Sequence, residues 1–309
     1  MPPGVDVVAA LDVGGTRIKA AMVDRSLTVL ARTTAPTPPN IGQDIGAAVR
    51  ACVGHLMDEL SGADQEVRLV GCGVVVPGLV DESTGTGLLS VNLGWRDLPI
   101  RDAVQAAVGV PIGVWHDVRA GLVAESRLGG ARGARNVLFM PVGTGIAGAL
   151  MLDGWVVSAD GWAGELGHLT IDPDGTPCAC GGAGCLEGIA SAAAIAREYA
   201  VLSGRPVGAE TVARLATDGD PTAMAVWRRA VAALAQAIVT TVTITGVDLV
   251  LMGGGLAESG ETLLAPLRRE VAERLTFQRP PHVARACLGD RAGCLGAACL
   301  AWDAQWSSP

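Results

Sequence analysis

The first part of the chain alternates between apolar runs and glycine-containing turns. Val5 to Val13 is a nearly continuous apolar run, and a second run, Ile18 to Val23, follows after two glycines. A third, shorter run covers Leu27 to Ala31. Short strands joined by tight turns usually pair antiparallel. The opening segment therefore predicts an antiparallel meander of three strands.

Helical and strand patterns alternate after this meander. Ile41 to Leu60 has the apolar spacing of an amphipathic helix, and Val67 to Val76 is a continuous apolar run typical of a strand buried on both faces. The pattern then predicts three shorter elements: a helix at 103–108, a strand at 113–115 and a helix at 118–128.

The same order of elements then recurs. Val137 to Val142, Ile146 to Leu152 and Trp155 to Ser158 predict three strands, with a glycine turn after the first. After an insertion, further elements are predicted: helices at 190–200, 211–216, 221–243, 261–275 and 291–301, and strands at 247–252 and 282–286. This repeat predicts a duplicated α/β fold with a cleft between its halves. The alternative is a single doubly wound domain with a decorated loop.

Composition narrows the function classes. With 309 residues the chain has the length of two domains, and its net charge of −8 argues against a nucleic-acid partner, which needs a concentrated basic face. No apolar run reaches the about 18 residues of a membrane span. Met1 to Asp6 has no basic stretch before the first apolar run, so we expect no secretory signal. We therefore expect a cytoplasmic protein without a membrane partner.

The first glycine turn is a candidate phosphate site. Gly14 and Gly15 let backbone N–H groups approach a phosphate without interference from a Cβ. Thr16 adds a hydroxyl donor, and Lys19, the only lysine in the chain, adds a charge. Asp12 supplies a carboxylate that can orient a magnesium-bound water. The Walker A pattern is absent, and an ordinary hairpin turn is the alternative.

Two further glycine segments point to a nucleotide. Gly143-Thr144-Gly145-Ile146 occupies the equivalent turn of the second half, so that the two turns together predict a clamp on a polyphosphate. Gly253-Gly254-Gly255 follows a predicted buried strand and leaves room for a flat ring or a ribose. For this last segment, a strand-to-helix turn without a ligand is the alternative.

One imidazole and three thiols are the strongest local signal. His168 precedes Cys178, Cys180 and Cys185 in a glycine-rich loop. These residue types are the four ligands of a closed tetrahedral zinc site, and a site without an open position is structural. The eight cysteines of the chain are too unevenly placed for a disulfide framework.

Three carboxylates are candidates for sugar chemistry. Glu165 lies three residues before His168, and Glu187 lies two residues after Cys185, so a metal-fixed loop would aim both of them. Carboxylates accept paired hydrogen bonds from vicinal hydroxyls. Asp117 follows a short predicted strand and starts a helix, where it is either a cleft carboxylate or a helix N-cap.

These motifs together resemble the ROK family of bacterial glucokinases, other hexose and N-acetylhexosamine kinases and related repressors. The resemblance covers nearly the whole chain, and the cysteine loop with its glutamates is its most specific part. It rests on segments that match in order and spacing: 12–19, Pro77-Gly78, Asp117, 143–146, Glu165-x-x-His168, Cys178-x-Cys180-Gly181-x-x-Gly184-Cys185-x-Glu187 and 253–255.

The resemblance implies an actin-like, hexokinase-type fold related to RNase H. We expect a smaller domain of residues 1–118 plus about 295–309, and a larger one of 119–294 with the zinc loop at about 165–188. It implies ATP and Mg²⁺ as further ligands beside the structural Zn²⁺, and Asp117 as the general base. The phosphate turns and the 253–255 segment then hold ATP. Substrate contacts are implied for Gly78, His116, Asp117, Glu165, His168 and Glu187.

Two positions depart from the family pattern. The residue before the catalytic aspartate is usually Asn, and here it is His116; the second phosphate turn usually continues with Gly where this chain has Ala147. An imidazole offers one donor and one acceptor, whereas an Asn amide offers two donors and a carbonyl. We therefore expect a preferred sugar that differs from glucose. If His116 contacts the sugar, catalysis should titrate near neutrality.

The functional hypothesis is phosphorylation of a hexose or hexose-like hydroxyl by ATP. The alternatives are a sugar-binding ROK regulator or non-catalytic sensor, and a kinase for an amino sugar, an N-acetyl sugar or a cyclitol. Because the first strand is predicted to begin near Val5, we expect no DNA-binding domain before it. We also expect a homodimer. Whether polyphosphate replaces ATP is left open by the sequence.

Overall fold

The structure is a computed structural model that describes residues 4–62 and 66–306. The chain forms two compact units. The first consists of Met1–Ala124, Ser158–Trp162 and Asp290–Pro309, and the second of Glu125–Val157 and Ala163–Gly289. Each unit is built around one five-stranded sheet.

The sheet of the first unit contains the predicted meander. It has five strands: β1 (Val5–Val13), β2 (Arg17–Asp24), β3 (Val29–Pro36), β4 (Val67–Val76) and β8 (Ile112–His116). Their order is β3-β2-β1-β4-β8, with β1, β2 and β3 antiparallel and β4 and β8 parallel to β1. The bounds of β1 and β4 are those the sequence predicts.

Helices cover both faces of this sheet. Around it lie four helices, α1 (Ile41–Leu60), α2 (Ile100–Val108), the first part of α3 (Asp117–Leu128) and α9 (Ala292–Trp306). In β1, Val7 and Leu11 join the core cluster that contains α1, whereas Val8 and Ala10 join the cluster that contains α9. Successive side chains of a strand point to opposite faces, so burial on both faces requires a continuous apolar run.

A small antiparallel sheet in the first unit was not predicted. Its strands are β5 (Leu79–Asp81), β6 (Thr86–Ser90) and β7 (Trp95–Leu98). The strands are three to five residues long, too short to show a clear period in the sequence.

The second unit repeats the topology of the first. Its strands are β9 (Val137–Pro141), β10 (Ala149–Leu152), β11 (Trp155–Val156), β12 (Leu249–Gly253) and β13 (His282–Arg285), in the order β11-β10-β9-β12-β13. The first three are antiparallel, and β12 and β13 run parallel to β9. The predicted duplication is confirmed, and the alternative of a single doubly wound domain is wrong.

Five helices belong to the second unit: α4 (Leu186–Ala190), α5 (Ala192–Ser203), α6 (Ala209–Thr217), α7 (Pro221–Thr245) and α8 (Glu261–Arg274). One helix was predicted over 190–200, where the structure has α4 and α5. They separate at Ser191, which is extended and whose hydroxyl accepts the backbone N–H of Ala194, so it caps a new helix.

The unit boundaries differ from the predicted domain boundaries at residues 118 and 295. The start of α3 packs tightly in the first unit, because a Cβ on Gly296 of α9 would lie 2.0 Å from the carbonyl oxygen of Ala120. Ser158–Trp162 joins the first unit in a similar way, since a Cβ on Gly161 would lie 2.2 Å from the carbonyl oxygen of Val80. Such backbone contacts leave no mark in a hydropathy pattern.

Within residues 4–62 and 66–306, none of the helices combines the length and the apolar character needed to span a membrane.

Candidate functional site

The glycine turn of the first unit connects β1 to β2. Asp12 and Lys19 are cross-strand partners on either side of it, and Gly15 and Thr16 are exposed. The backbone N–H of Gly14 donates to the carbonyl of Arg17, which closes the turn. Exposed glycine backbone at a tight turn is the geometry that a phosphate needs.

Asp12 and Lys19 face the start of α9. Desolvation raises the pKa of Asp12, and the charge of Lys19 partly opposes this effect. A Cβ on Gly293 would lie 2.9 Å from Asp12 Oδ2, so only glycine leaves the carboxylate its space. Lys19 Nζ donates to the carbonyl oxygen of Asp290 at 2.7 Å and lies 3.4 Å from its carboxylate. Asp290 was not predicted as a site residue.

Asp117 is the first residue of α3 and follows β8 directly. Its Oδ1 accepts the backbone N–H of Val118 at 2.7 Å, and 30% of its side chain is exposed. A carboxylate at the carboxyl end of a parallel strand lies where ligands bind in open α/β sheets. Asp117 therefore starts a helix, and its role as a functional carboxylate stays a prediction.

Two neighbours of Asp117 in the chain, His116 and Arg119, both contact Glu82 within the first unit. His116 is buried, and its Nε2 lies 3.4 Å from Asp117 Oδ1. Arg119 is also buried, and its Nε donates to Glu82 Oε1 at 2.8 Å. The backbone N–H of His116 lies 3.3 Å from the same Glu82 oxygen. Glu82 and Arg119 were not predicted as site residues.

Gly78 lies after β4 with a φ of 98°, a left-handed conformation that only glycine adopts readily. A Cβ there would lie 2.3 Å from the carbonyl oxygen of Leu89 in β6. The structure therefore explains the glycine by backbone packing between β4 and the small sheet.

The glycine turn of the second unit lies between β9 and β10. Gly143 N–H donates to the carbonyl of Gly145, and Ile146 N–H donates to Glu187 Oε2 at 2.8 Å. A Cβ on Gly145 would lie 2.4 Å from the same oxygen. Glu187, predicted as a sugar ligand, is thus also a structural part of the predicted phosphate turn.

The triple-glycine segment lies beside that turn. Val142 N–H donates to the carbonyl of Gly253, and Leu256 N–H donates back to the carbonyl of Val142. Gly254 has a φ of 73°, and a Cβ on it would lie 2.4 Å from the Val142 carbonyl oxygen. The carboxyl ends of the parallel strands β9 and β12 therefore carry two adjoining glycine turns.

A pocket of about 750 Å³ opens next to the triple-glycine segment. Gly255, Leu256 and Ser259 line one side, and Ala192 and Ala213 line others. The backbone N–H of Ala192 donates to the carbonyl of Gly143, which links the pocket wall to the phosphate turn. The pocket is large enough for a nucleoside.

Glu165 and His168 lie at the two ends of a short 3-10 turn, Leu166–His168. His168 N–H donates to the carbonyl of Glu165, and the two side chains approach to 4.0 Å between Nε2 and Oε2. Both side chains are partly exposed, at 41% for Glu165 and 36% for His168. The structure thus brings these two predicted sugar ligands together.

The four predicted metal ligands converge. The ligand atoms of His168, Cys178, Cys180 and Cys185 all lie within 4.8 Å of one another. His168 Nδ1 lies 3.6 Å from Cys178 Sγ, and Cys180 Sγ lies 3.6 Å from Cys185 Sγ. Zinc–sulfur bonds of about 2.3 Å at tetrahedral angles put two thiolates about 3.8 Å apart. The donor set and its spacing fit a tetrahedral zinc ion.

The thiols of this cluster differ in their environment. The backbone N–H of Gly182 and the neighbouring thiols lower the pKa of Cys180, which is exposed. Burial raises the pKa of Cys185 to about 12, with the neighbouring thiols adding to the effect.

Ion pairs also hold the loop that carries the cysteines. Arg229 of α7 pairs with Asp172 of this loop and with Glu198 of α5.

Comparison with known proteins agrees with this geometry. The profile of the ROK family matches residues 8–304. The glucokinase of Halalkalibacterium halodurans is 31% identical over an alignment 312 positions long. The alignment covers 93% of this chain and 92% of that protein. The structure of a ROK hexokinase from Thermus thermophilus has a TM-score of 0.82 at 33% identity, covering 98% of this chain and all of the other.

A second solved structure carries ligands. It is the ROK family glucokinase from Streptomyces griseus in complex with glucose and AMPPNP, with a TM-score of 0.81 at 29% identity, covering 96% of this chain and 99% of that one. The family profile spans nearly the whole chain, and the glycine turns and the cysteine loop lie within it. The chain therefore belongs to the ROK family.

Proposed function

We propose that this chain is an ATP-dependent sugar kinase that phosphorylates a hydroxyl group of a hexose, with Asp117 as the general base. The observation that carries the proposal is the repeated glycine turn between the first two strands of each duplicated sheet. The full-length similarity to glucokinases supports the reaction. The duplicated mixed sheets are those expected of the actin-like, hexokinase-type fold.

The two glycine turns are assigned to the phosphates of ATP. In the first unit, Gly15 and Thr16 offer exposed backbone, Thr16 adds a hydroxyl, and Lys19 adds a positive charge; Gly14 closes the turn. Asp12 would hold a magnesium-bound water, and the Mg²⁺ ion would neutralise charge on the phosphates. In the second unit, the turn at 143–145 contributes backbone N–H groups in the same way.

The adenosine part of ATP is assigned to the 750 Å³ pocket beside Gly253–Gly255. Its lining is mostly small or apolar, which suits a flat ring, and Glu210 and Glu258 at its edge can accept hydrogen bonds from ribose hydroxyls. The hydrogen bond from Ala192 to Gly143 connects this pocket to the phosphate turn.

In the second unit, Glu165, His168 and Glu187 are assigned to the sugar. In the first unit, Gly78 and Asp117 have this assignment. A zinc ion on Nδ1 of His168 would fix the imidazole ring and leave Nε2 for the sugar, because a metal-bound imidazole uses one nitrogen and offers the other. Nε2 is also the nitrogen that faces Glu165. The zinc site is structural in this proposal, since all four of its positions are filled by protein ligands.

The chemistry assigned to the protein is mainly positioning. Asp117 accepts the proton of the sugar hydroxyl as the hydroxyl oxygen bonds to the γ-phosphorus, while the bond from phosphorus to the oxygen of ADP breaks. Phosphoryl transfer needs little covalent help from the protein, so alignment and charge neutralisation account for most of the rate. A general base adds about 10²- to 10⁴-fold.

The test is a coupled assay of ADP release with a panel of hexoses, amino sugars, N-acetyl sugars and cyclitols, for the wild type and Asp117→Asn. The proposal expects turnover that depends on a sugar, and loss of about 10²-fold or more in Asp117→Asn. Calorimetry on the variant should still show sugar binding. Sugar binding without ADP release in the wild type would instead support the regulator, and full activity of Asp117→Asn would remove Asp117 as the base.

A further inference from the structure

His116 is a polar side chain in an unusual place. Only 5% of it is exposed, and it lies at the last position of β8, directly before the proposed base. A buried imidazole needs hydrogen-bond partners, because an unsatisfied polar group in the interior costs about 1–3 kcal/mol. Its partners therefore indicate what the side chain does.

Each ring nitrogen of His116 faces a different group of the first unit. Nδ1 accepts the backbone N–H of Arg119 at 3.4 Å. Nε2 lies 3.4 Å from Asp117 Oδ1. A nitrogen that accepts a hydrogen bond carries no proton, so the proton of the neutral ring is on Nε2. The backbone of Arg119 thus selects the tautomer with its proton on Nε2, the nitrogen that lies 3.4 Å from the Asp117 carboxylate.

The structure assigns His116 as a positioning residue for Asp117: its Nε2–H donates to Oδ1 and holds the carboxylate so that Oδ2 meets the sugar hydroxyl. This inference rests on the proposed kinase function. It replaces the direct sugar contact that the family pattern leads one to expect at this position. The distance of 3.4 Å is long for a hydrogen bond, and catalytic hydrogen bonds often shorten only in the substrate complex.

The charge state of the ring agrees with this role. Burial, together with the charge of Arg119, lowers the pKa of His116 to about 3. The ring therefore stays neutral at physiological pH and keeps one donor and one acceptor. A catalytic titration near neutrality was expected only if His116 contacts the sugar, and it assumed the pKa of an exposed histidine; the lowered pKa argues against it.

Further hydrogen bonds hold the backbone of His116 and the side chain of Arg119 in place. Glu82 Oε1 accepts from Arg119 Nε at 2.8 Å and lies 3.3 Å from the backbone N–H of His116. Arg119 also donates to the carbonyl of Gly161 at 3.4 Å. Arg101 in turn holds the loop of Glu82 through the carbonyls of Glu82 and Ser83. The last residue of β8 is thereby tied to α3 and to the segment between the first two strands of the small sheet.

A positioning residue acts here on a carboxylate that is within reach of solvent. Asp117 is 30% exposed, and its Oδ1 accepts the N–H of Val118. An imidazole N–H on the same oxygen would restrict rotation of the carboxylate. Misplacement of a reacting group by about 1 Å can cost on the order of 10²-fold in rate.

Two amide substitutions separate positioning from sugar contact. His116→Gln is long enough to place an amide N–H near the position of Nε2, so it keeps the donor to Asp117. His116→Asn is one methylene shorter; its carbonyl can accept the N–H of Arg119, but its amide does not reach Asp117. His116→Ala removes both groups, and His55→Asn, at an exposed position of α1, is the matched control.

Steady-state kinetics with the preferred sugar distinguishes a positioning role of His116 from a direct sugar contact. We expect kcat of His116→Asn and His116→Ala to fall about 10- to 100-fold with KM for the sugar changed by less than about twofold. His116→Gln should recover kcat to within about threefold of wild type, and the order of preference across the sugar panel should stay the same in all variants. Thermal unfolding confirms that each variant is folded. If His116→Asn is unfolded, His116→Gln compared with His116→Ala gives the same decision.

Failure of this inference is distinct from failure of the kinase function. A wild type with no sugar-dependent ADP release overturns the function itself. A wild type that is active, together with a His116→Asn variant of unchanged kcat, overturns only the positioning role. A changed order of sugar preference with raised KM also overturns it, because that result shows a direct sugar contact.

Discussion

Glu187 Oε2 accepts a hydrogen bond of 2.8 Å from the backbone N–H of Ile146. One carboxylate, assigned to the sugar, therefore also holds the turn assigned to the phosphates. The turn at 143–146 lies between β9 and β10, and Glu187 lies in α4, directly after the last cysteine of the zinc cluster. The carboxylate assigned to the sugar, the turn assigned to the phosphates and the cysteine loop are thus connected by contacts within the second unit.

The first prediction concerns Gly145→Ala. Its Cβ would lie 2.4 Å from Glu187 Oε2, so the carboxylate must move or the turn must open. We expect kcat/KM for the sugar to fall at least about tenfold and KM for ATP to rise, because one contact serves both substrates. Steady-state kinetics with each substrate varied in turn measures both effects.

Gly54→Ala is the matched control for this substitution. Gly54 lies on an exposed part of α1, and nothing lies within 4 Å of the position of its Cβ. Alanine is preferred over glycine in a helix by up to about 1 kcal/mol, so the control should be at least as stable as wild type. Equal kinetic constants for Gly145→Ala and Gly54→Ala would contradict the inferred connection between Glu187 and the turn at 143–146.

The second prediction concerns zinc. Protein purified without chelator should contain about one zinc per chain, held by the four ligand atoms of the cluster. Changes in the surroundings of a metal ligand lower affinity about 10- to 100-fold, and replacement of a ligand should cost at least as much. Cys180→Ser should therefore lose zinc on dialysis against a mild chelator, with a lower Tm and a raised KM for the sugar.

Cys287→Ser is the control for the zinc prediction. Cys287 is exposed and lies outside the metal cluster. Its zinc content, measured by elemental analysis, should equal that of the wild type. Absence of zinc from the wild type, or equal retention by Cys180→Ser, would show that the cluster is not a zinc site.

Much of the fold follows from local patterns in the sequence. The bounds of β1 and α1 were predicted to the residue, because each has a long, uninterrupted period. The strand expected at Ile146 begins only at Ala149, since Ile146 is held by the turn through Val142 and Glu187. A tertiary contact here overrides an apolar pattern.

The candidate site likewise contains residues that a local sequence pattern identifies and residues that it does not. His168 and the three cysteines are close in sequence and have diagnostic chemistry, so spacing alone identified them. Glu82 and Arg119 form one of the main contacts near Asp117, but 37 residues separate them. Neither has a local pattern that differs from an ordinary surface charge. Their meeting depends on how β5, β6 and α3 pack, which no local period encodes.

The third prediction tests that buried pair. Arg119 is 3% exposed and Glu82 26%, with 2.8 Å between Nε and Oε1. Removing one partner of a buried ion pair costs about 3–5 kcal/mol where no other group compensates the remaining charge. Arg119 keeps its hydrogen bond to the carbonyl of Gly161. Because Glu82 is partly exposed, we expect Glu82→Gln to lose stability near the lower end of that range. Urea denaturation measures the change.

Asp6→Asn provides the comparison with an exposed pair. Arg68 and Asp6 make a bidentate contact at 2.7 and 2.8 Å, yet both side chains are largely solvated. Water screens such a pair, so its loss should leave the urea midpoint nearly unchanged. If Glu82→Gln and Asp6→Asn shift the urea midpoint equally, burial of Arg119 does not make the loss of its partner more costly for stability.

The fourth prediction is a pH dependence of stability from His116. Its pKa is about 3 in the folded protein against 6.5 for an ordinary histidine. Between these values the unfolded chain binds a proton that the folded chain does not, so stability falls as the pH drops below 6.5. From pH 7.5 to pH 5 this group should cost the wild type about 2 kcal/mol, since one pKa unit corresponds to about 1.4 kcal/mol.

His116→Gln isolates this contribution, because glutamine does not titrate while the carboxylates of Asp117 and Glu82 and the charge of Arg119 stay in place. Urea denaturation at the two pH values should show a stability loss that is smaller in His116→Gln than in wild type by about 2 kcal/mol. His55→Asn removes an exposed histidine instead and controls for the general loss of a titrating group. Parallel losses in the wild type and His116→Gln would mean that the imidazole is protonated in the folded protein above pH 5. A protonated ring would donate from both nitrogens and would have no acceptor for the N–H of Arg119, so the tautomer on which the positioning of Asp117 depends would be lost as well.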